Sequence, residues 1–390
     1  MAINISREDG FTITELMISM TITLIVTAAA LNAFRNAMLI NDSASQIADS
    51  NQNLRAGTNT MIRDLLMAGR IIGAEGIAMP TGAGVKNFNR PGPPGATLTF
   101  PLIVDDDTTK NLPSISTGYQ LGPSINGSTT DVVTILTIDE FSPFITTPAP
   151  SPSVNALIEG TLSADGTNVT LNVNSPWLVA DTVNDTTPLQ VGDLVFMKGP
   201  NGNAIQTVTK MDATHVYFET GSTNDWFNFN QNTAPVRPMG ILKGTTDVTS
   251  AWTAKVTMFR ALMITYYVDK VTTPSTPRLT RVLNHCPGAS ATCPGSIFDP
   301  MALAGVVEDL DLSYDLVDGV TNPTNVASLP YTTGVAPNQV TYTSNQIRKV
   351  NIHVGVRSEV WSKPAMDYVR NHISTAVDVR SLASVDRYKS

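Results

Sequence analysis

The chain has 390 residues and a formal net charge of -8, with 15% of residues charged. Ordinary soluble domains carry about a quarter. The acidic balance, with no basic run anywhere, argues against a nucleic-acid partner, because phosphate binding needs clustered Lys and Arg. The length suffices for one large or two ordinary cores.

The first organised stretch is Gly10-Phe11-Thr12-Ile13-Thr14-Glu15, followed by Leu16-Met17-Ile18-Ser19-Met20 and apolar sequence to about Leu31. Between Phe11 and Phe34 the only charge is Glu15. The run is close to the ~20 residues that cross a bilayer as a helix. An ionisable group in such a segment is a functional-site hypothesis by default. A secretory signal places its small-residue cleavage site after the apolar core. Here Gly10 precedes it, so a cut there leaves the run on the mature chain. Thr12, Thr14, Ser19, Thr21, Thr23 and Thr27 punctuate the run. In a helix such hydroxyls bond the carbonyl one turn back. Small and hydroxyl side chains also let helices approach closely in lipid.

The first proline is Pro80, so nothing must break a helix from Phe11 to about Gly69. Gly57 weakens it by only ~1 kcal/mol. Ile47, Leu54, Met61, Ile62, Leu65 and Leu66 recur at three- to four-residue spacing and predict one apolar face. Asp42, Ser43, Gln46, Asp49, Ser50, Asn51 and Asn53 fill the polar side. The pattern predicts one helix of ~55–60 residues rising ~1.5 Å each. Its first half lies in a membrane or filament core, its second half packs on a head, and Gly69 is its expected C-cap.

Residues 73–95 are rich in Gly and Pro and read as a loop. Strand patterns follow at Ala96–Phe100 and Asp131–Thr137. Asp105-Asp106-Asp107 has no spaced acidic loop with a closing Glu, so it reads as a solvated turn rather than a calcium site. Residues 143–152 form a Pro-rich surface loop. Small hairpins are expected over 156–220, with strands at 169–173, 192–197, 204–209 and 215–219. His215 alternates with Val216 and Phe218 and reads as a strand-surface residue. Trp226, Phe227 and Phe229 read as packed aromatics. Further strands are expected at 255–259, 263–268, 279–283, 305–314, 348–358 and 375–382. The fold class is α+β: one long N-terminal α-helix, then a β-rich, mainly antiparallel head.

The junction Gly10-Phe11, Thr12, Glu15 and the run Leu16–Met20 resemble the N-terminus of a type IV prepilin. The resemblance implies that a membrane prepilin peptidase cuts after Gly10 and methylates the new amine of Phe11. It also implies that Glu15 neutralises the N-terminal amine of a neighbouring subunit during assembly. A free α-amine is mostly charged at neutral pH. In a low-dielectric core a lone charge is strongly disfavoured and a pair is tolerated. The leader departs from a simple basic pattern: Arg7 is followed by Glu8 and Asp9, which weakens the positive-inside signal. The helix-kinking proline of many major pilins is also missing.

Downstream, Ile62–Arg70 resembles the helix end of minor pilins and pseudopilins. The Tyr266-Tyr267 strand, Leu279-Thr280-Arg281, Gly305–Tyr314, the strand ending Val356-Arg357-Ser358 and the tail Thr375–Leu382 resemble, in that order, the head of PilW-type minor pilins. The resemblance implies three parts: a leader over 1–10, a helix over 11–72 with a transmembrane first half, and a head over 73–390 with inserted loops at about 75–250. It implies a minor pilin as structural subunit, with other pilins and minor pilins, prepilin peptidase and the inner membrane as partners. The precursor would sit in the inner membrane and the head in the periplasm or on the pilus surface. A pseudopilin of a type II secretion system shares the same terminus. A membrane-anchored extracellular binding protein is the reading from another class.

Cys286 and Cys293 sit in one short stretch, each followed by proline. In an exported chain they predict a disulfide closing a small surface loop. Zinc needs four ligands, and only His285 adjoins the pair. His215, His285, His353 and His372 look scattered. No hydrolase, zinc-protease or complete nucleotide-binding motif occurs. The sequence therefore predicts no enzyme, no metal site and no cofactor.

Overall fold

The structure, a computed structural model, describes residues 11–72, 76–80, 87–92, 98–99, 111–138, 158–171, 189–231, 242, 254–270, 274–284, 300–362 and 366–379. One helix, α1 (Ile13–Met67, 55 residues), precedes a β-rich head. This is the expected α+β arrangement. The helix leaves its regular path at Ala68, whose backbone turns extended (φ -56°, ψ 133°), one residue before the expected cap. Gly69 follows in the left-handed region (φ 72°), where glycine is favoured. Its N–H donates to the Leu136 carbonyl at 3.0 Å, so the sheet, not the helix, satisfies it.

The largest sheet among the described residues has thirteen strands. In chain order they are β1 (Ile115–Gly118), β2 (Val132–Ile138), β3 (Ile158–Leu162), β4 (Asn168–Leu171), β5 (Leu194–Gly199), β6 (Gly202–Thr207), β7 (Lys210–Met211) and β8 (His215–Tyr217). Then come β9 (Ala254–Asp269), β10 (Arg278–Leu283), β11 (Met301–Leu316), β12 (Ile347–Arg357) and β13 (Arg370–Asp378). The main path runs β7-β8-β4-β3-β9-β10-β11-β12-β13. All its pairings are antiparallel.

The two expected strands at 255–259 and 263–268 are one continuous strand, β9, of 16 residues. Its length explains the architecture. On one edge it holds β5 through Leu194↔Ala261 and β10 through Ile264↔Leu283. On the other it holds β2 through Ile135↔Ile264 and β3 through Ile158↔Met258. The expected hairpins exist as β3–β4, β5–β6 and β7–β8.

Strand β2 is buried at every position. Its side chains alternate between two cores, as the two-residue period of a strand requires. Val133 and Ile135 join Leu54, Met61 and Leu65 of the helix, with Leu310, Leu312, Val350 and Val354 of the sheet. Leu136 and Ile138 join Phe88, Phe196, Phe227 and Phe229 on the opposite face. The aromatics at Phe227 and Phe229 are packed as expected, with rings stacked 5.7 Å apart.

The helix buries Leu54, Gly57, Thr58, Met61, Asp64 and Leu65. Ile47 and Leu66, expected on the same stripe, are exposed. The helix is covered only where a strand crosses it. Gly57 marks that crossing. A Cβ there would lie 3.3 Å from the Leu303 and Ala304 Cβ atoms and from the Leu303 carbonyl oxygen. The glycine is therefore a close-approach residue against β11 rather than a weak point of the helix. Gly57→Leu is expected to lower unfolding stability by about 1–3 kcal/mol through overpacking. Denaturant unfolding of the detergent-solubilised chain measures this. An unchanged midpoint would show that the helix does not seat on β11.

Candidate functional site at the helix N-terminus

Thr12 is the N-cap of α1, with extended backbone (φ -76°, ψ 150°). Its N–H donates to Glu15 Oε2 at 3.0 Å, and its hydroxyl donates to the same oxygen at 2.9 Å. In return the Glu15 N–H donates to Thr12 Oγ1 at 3.4 Å and to the Thr12 carbonyl at 3.1 Å. This is a capping box: residues three apart satisfy each other's open backbone donors. The carboxylate is thereby drawn back toward the chain's N-terminal side, at the positive end of the helix dipole. Oε2 carries these bonds, and Oε1 accepts no hydrogen bond among the described residues. What this site offers is one fixed anionic oxygen at a helix tip, suited to receive a cation.

The surroundings of that oxygen are apolar and bare. Phe11 is 87% exposed, and Ile13, Leu16, Met17, Ile18 and Met20 are all open. α1 is long and apolar enough to cross a membrane, and the protein covers none of its most apolar 18-residue stretch. The hydroxyls within it behave as expected. Ser19 donates to the Leu16 carbonyl at 2.9 Å, Thr21 to Met17 at 2.8 Å, Thr23 to Ser19 and Thr27 to Thr23, both at 2.7 Å. Each donor is satisfied within the helix, which lowers the penalty for placing it in an apolar medium.

At its other end the helix is clamped to the head. Asp64 Oδ2 accepts from Tyr266 Oη at 2.6 Å and from Arg281 Nε at 2.7 Å. The Asp64 side chain is 5% exposed and that of Arg281 17%. Burial, then the Asp64 charge and hydrogen bond, push the Tyr266 hydroxyl far above its ordinary range. Burial works to lower Arg281, but the Asp64 carboxylate outweighs it and the guanidinium rises. Both groups therefore stay protonated, and the carboxylate has two permanent donors. Thr137 Oγ1 adds a bond to the Met67 carbonyl at 3.0 Å. Three segments that looked like separate signatures in the sequence thus meet at one buried carboxylate.

A second buried acid, Asp131, bridges the Gln120 N–H and the Leu312 N–H, each at 2.8 Å. Burial raises its pKa, and those two backbone bonds oppose the shift. His353 and His372, which look unrelated in the sequence, are neighbours on β12 and β13 with rings 5.4 Å apart. Only the strand register, His353↔Ser374 and Gly355↔His372, reveals the pair. His215 lies on β8 with Nδ1 3.0 Å from Asp212 Oδ1. No cluster of three His, Cys, Asp or Glu able to hold a metal occurs among the described residues. Gly10, His285, Cys286, Cys293 and Asp105–Asp107 lie outside the described residues.

No curated protein and no solved structure matches the chain. Residues 5–31 match one family description, the prokaryotic N-terminal methylation motif. The matched segment contains the Gly10-Phe11 junction, the Thr12–Glu15 capping box and the first nineteen residues of α1, and it supports a type IV pilin-like or pseudopilin precursor.

Proposed function

We propose that this chain is a minor pilin of PilW type, a structural subunit that acts in pilus assembly. A prepilin peptidase releases residues 1–10 after Gly10 and methylates Phe11. The chain then waits in the inner membrane and enters a filament through α1. The observation that carries this reading is the coincidence of the methylation motif over 5–31 with a 55-residue helix whose motif-bearing half is uncovered. An uncovered apolar helix in water is unstable; lipid or other helices must surround it. Glu15 supplies the one polar contact such a bundle needs, the neighbour's N-terminal amine. The head, joined rigidly at Asp64, projects outward. The order of head strands and the proline-free helix favour a minor pilin over a major one.

Mass spectrometry of the mature N-terminus tests the processing step. The expected product begins at N-methylated Phe11. An intact leader, or a cut at any other bond, overturns the proposal. Deleting the chain separates pilus from secretion machinery. Loss of pili with normal protein secretion is expected, and the opposite outcome assigns the chain to a type II pseudopilin.

A further inference from the structure

The first hydrogen bond from α1 to the described head, counted from the helix N-terminus, joins Ser43 Oγ and Ser362 Oγ at 3.0 Å. Ser362 lies between β12 and β13 and forms an antiparallel bridge with Asp367. Around it, large apolar side chains are open: Val360 is 58% exposed, Trp361 50% and Met366 80%. Trp361 is nonetheless braced. Its ring meets Tyr368 edge-on at 5.3 Å, and the Arg357 guanidinium lies over the Tyr368 ring at 4.0 Å. Arg357 is held in turn by Glu308 at 3.2 Å. Trp361 is therefore a braced but exposed indole beside the first head contact of the helix.

The level of Ser362 can be computed from the helix. Phe11 to Ile40 spans thirty residues and holds every large apolar side chain that α1 exposes before Ile47; its one cation, Arg35, lies five residues inside Ile40, ~7.5 Å along the axis and so at headgroup depth. At ~1.5 Å per residue this is ~45 Å. A bilayer with both headgroup layers measures ~40–45 Å. Ser43 lies three residues farther, ~4.5 Å along the axis. Ser362 is thus placed at the membrane surface when the helix spans the bilayer. Trp is enriched at that depth because its ring is apolar and its N–H seeks water.

We propose that Val360, Trp361 and Met366 form a membrane foot. In the bilayer-held chain they enter the headgroup layer on the head's side and give the head a second attachment, off the helix axis. A single spanning helix leaves stalk and head free to tilt and rotate together in the bilayer; a second attachment, off the axis, restrains both. The recognised surface is the interfacial layer of the bilayer, which the indole and the apolar side chains of Val360 and Met366 suit. Among the described residues, the cations beside the patch are engaged: Arg357 and Arg370 by Glu308, and Arg370 also by Asp367 at 2.7 Å; Lys363 lies outside the described residues. The inference rests on the membrane-anchored reading of α1.

The test uses the full chain in phosphatidylcholine vesicles whose acyl chains carry bromine, a quencher of indole fluorescence, near either the headgroup or the methyl end. Four tryptophans are present, so the Trp361 signal is the difference between wild type and Trp361→Phe. Stronger quenching of that difference by the headgroup-proximal bromine is expected, and Val360→Asp should reduce it. Flotation with the vesicles after an alkaline wash reports helix insertion separately. Chains that float but show no quenching of Trp361 overturn the foot and leave the anchor standing. Chains that wash off overturn both. A Trp361 signal that stays unquenched in lipid and shifts only on adding a second pilin assigns the patch to a subunit contact and also overturns the foot.

Discussion

Glu15→Ala is expected to yield a chain that is cut, methylated and membrane-inserted but absent from sheared filaments. The substitution removes the only charge between Phe11 and Phe34. A neighbour's α-amine, charged at neutral pH, would then enter an apolar helix bundle with no counter-charge. Two unit charges 4 Å apart attract by about 4 kcal/mol at an effective dielectric of 20. Half of that, ~2 kcal/mol, is already worth more than tenfold in subunit incorporation. The same substitution also removes the Glu15 half of the capping box, while replacing the N-cap Thr12 itself weakens a helix start by ~1 kcal/mol. Thr12→Ala separates the two effects, since it deletes the cap and keeps the carboxylate. Incorporation should survive Thr12→Ala and fail in Glu15→Ala. Immunoblots of sheared pili alongside mass spectrometry of the membrane fraction give both readings. Normal incorporation of Glu15→Ala would sink the assembly role and favour a helix that serves only as a tether.

Asp64→Ala should unhinge the head from its stalk. It leaves the Tyr266 hydroxyl, fully buried, and the Arg281 guanidinium, largely buried, facing an empty position. Breaking a buried pair by removing one partner typically lowers stability by about 3–5 kcal/mol. Against a total stability of ~5–15 kcal/mol for a domain, that is a large fraction. Asp64→Asn keeps an acceptor for Tyr266 and loses only the charge, so it should fall between the two. Urea unfolding in detergent, followed by intrinsic fluorescence, orders the three chains. A loss below ~1 kcal/mol for Asp64→Ala would mean that the helix and sheet are held by apolar contact alone.

Much of this was legible beforehand, for identifiable reasons. The helix is a run of local events: no proline before Pro80, a hydroxyl cap at Thr12 and a carboxylate three residues later. Strands β2, β10, β11 and β12 carry β-branched or alternating side chains whose pattern needs no distant partner. The continuity of β9 was not legible. Its middle, Arg260-Ala261-Leu262, breaks the strand pattern and is held extended only by pairing with β5 and β2. The pattern also overstated the helix face, since Ile47 and Leu66 have the right spacing but no strand above them.

By itself, then, the sequence determined the stalk and its chemistry: a membrane-length helix, the single charge between Phe11 and Phe34, and a junction matching a methylation motif. Those properties depend on neighbours within a turn or two. Only the tertiary structure decided where the stalk ends and the head begins. Asp64 meets Tyr266 and Arg281 from 202 and 217 residues away, and Ser43 meets Ser362 across 319. Such pairs follow from strand register in a sheet of many strands. Register is set by the whole hydrophobic arrangement rather than by any one segment. The same arrangement turned Gly57 from an apparent weakness into the point where helix and sheet touch, and set Trp361 at the height where the bare helix begins.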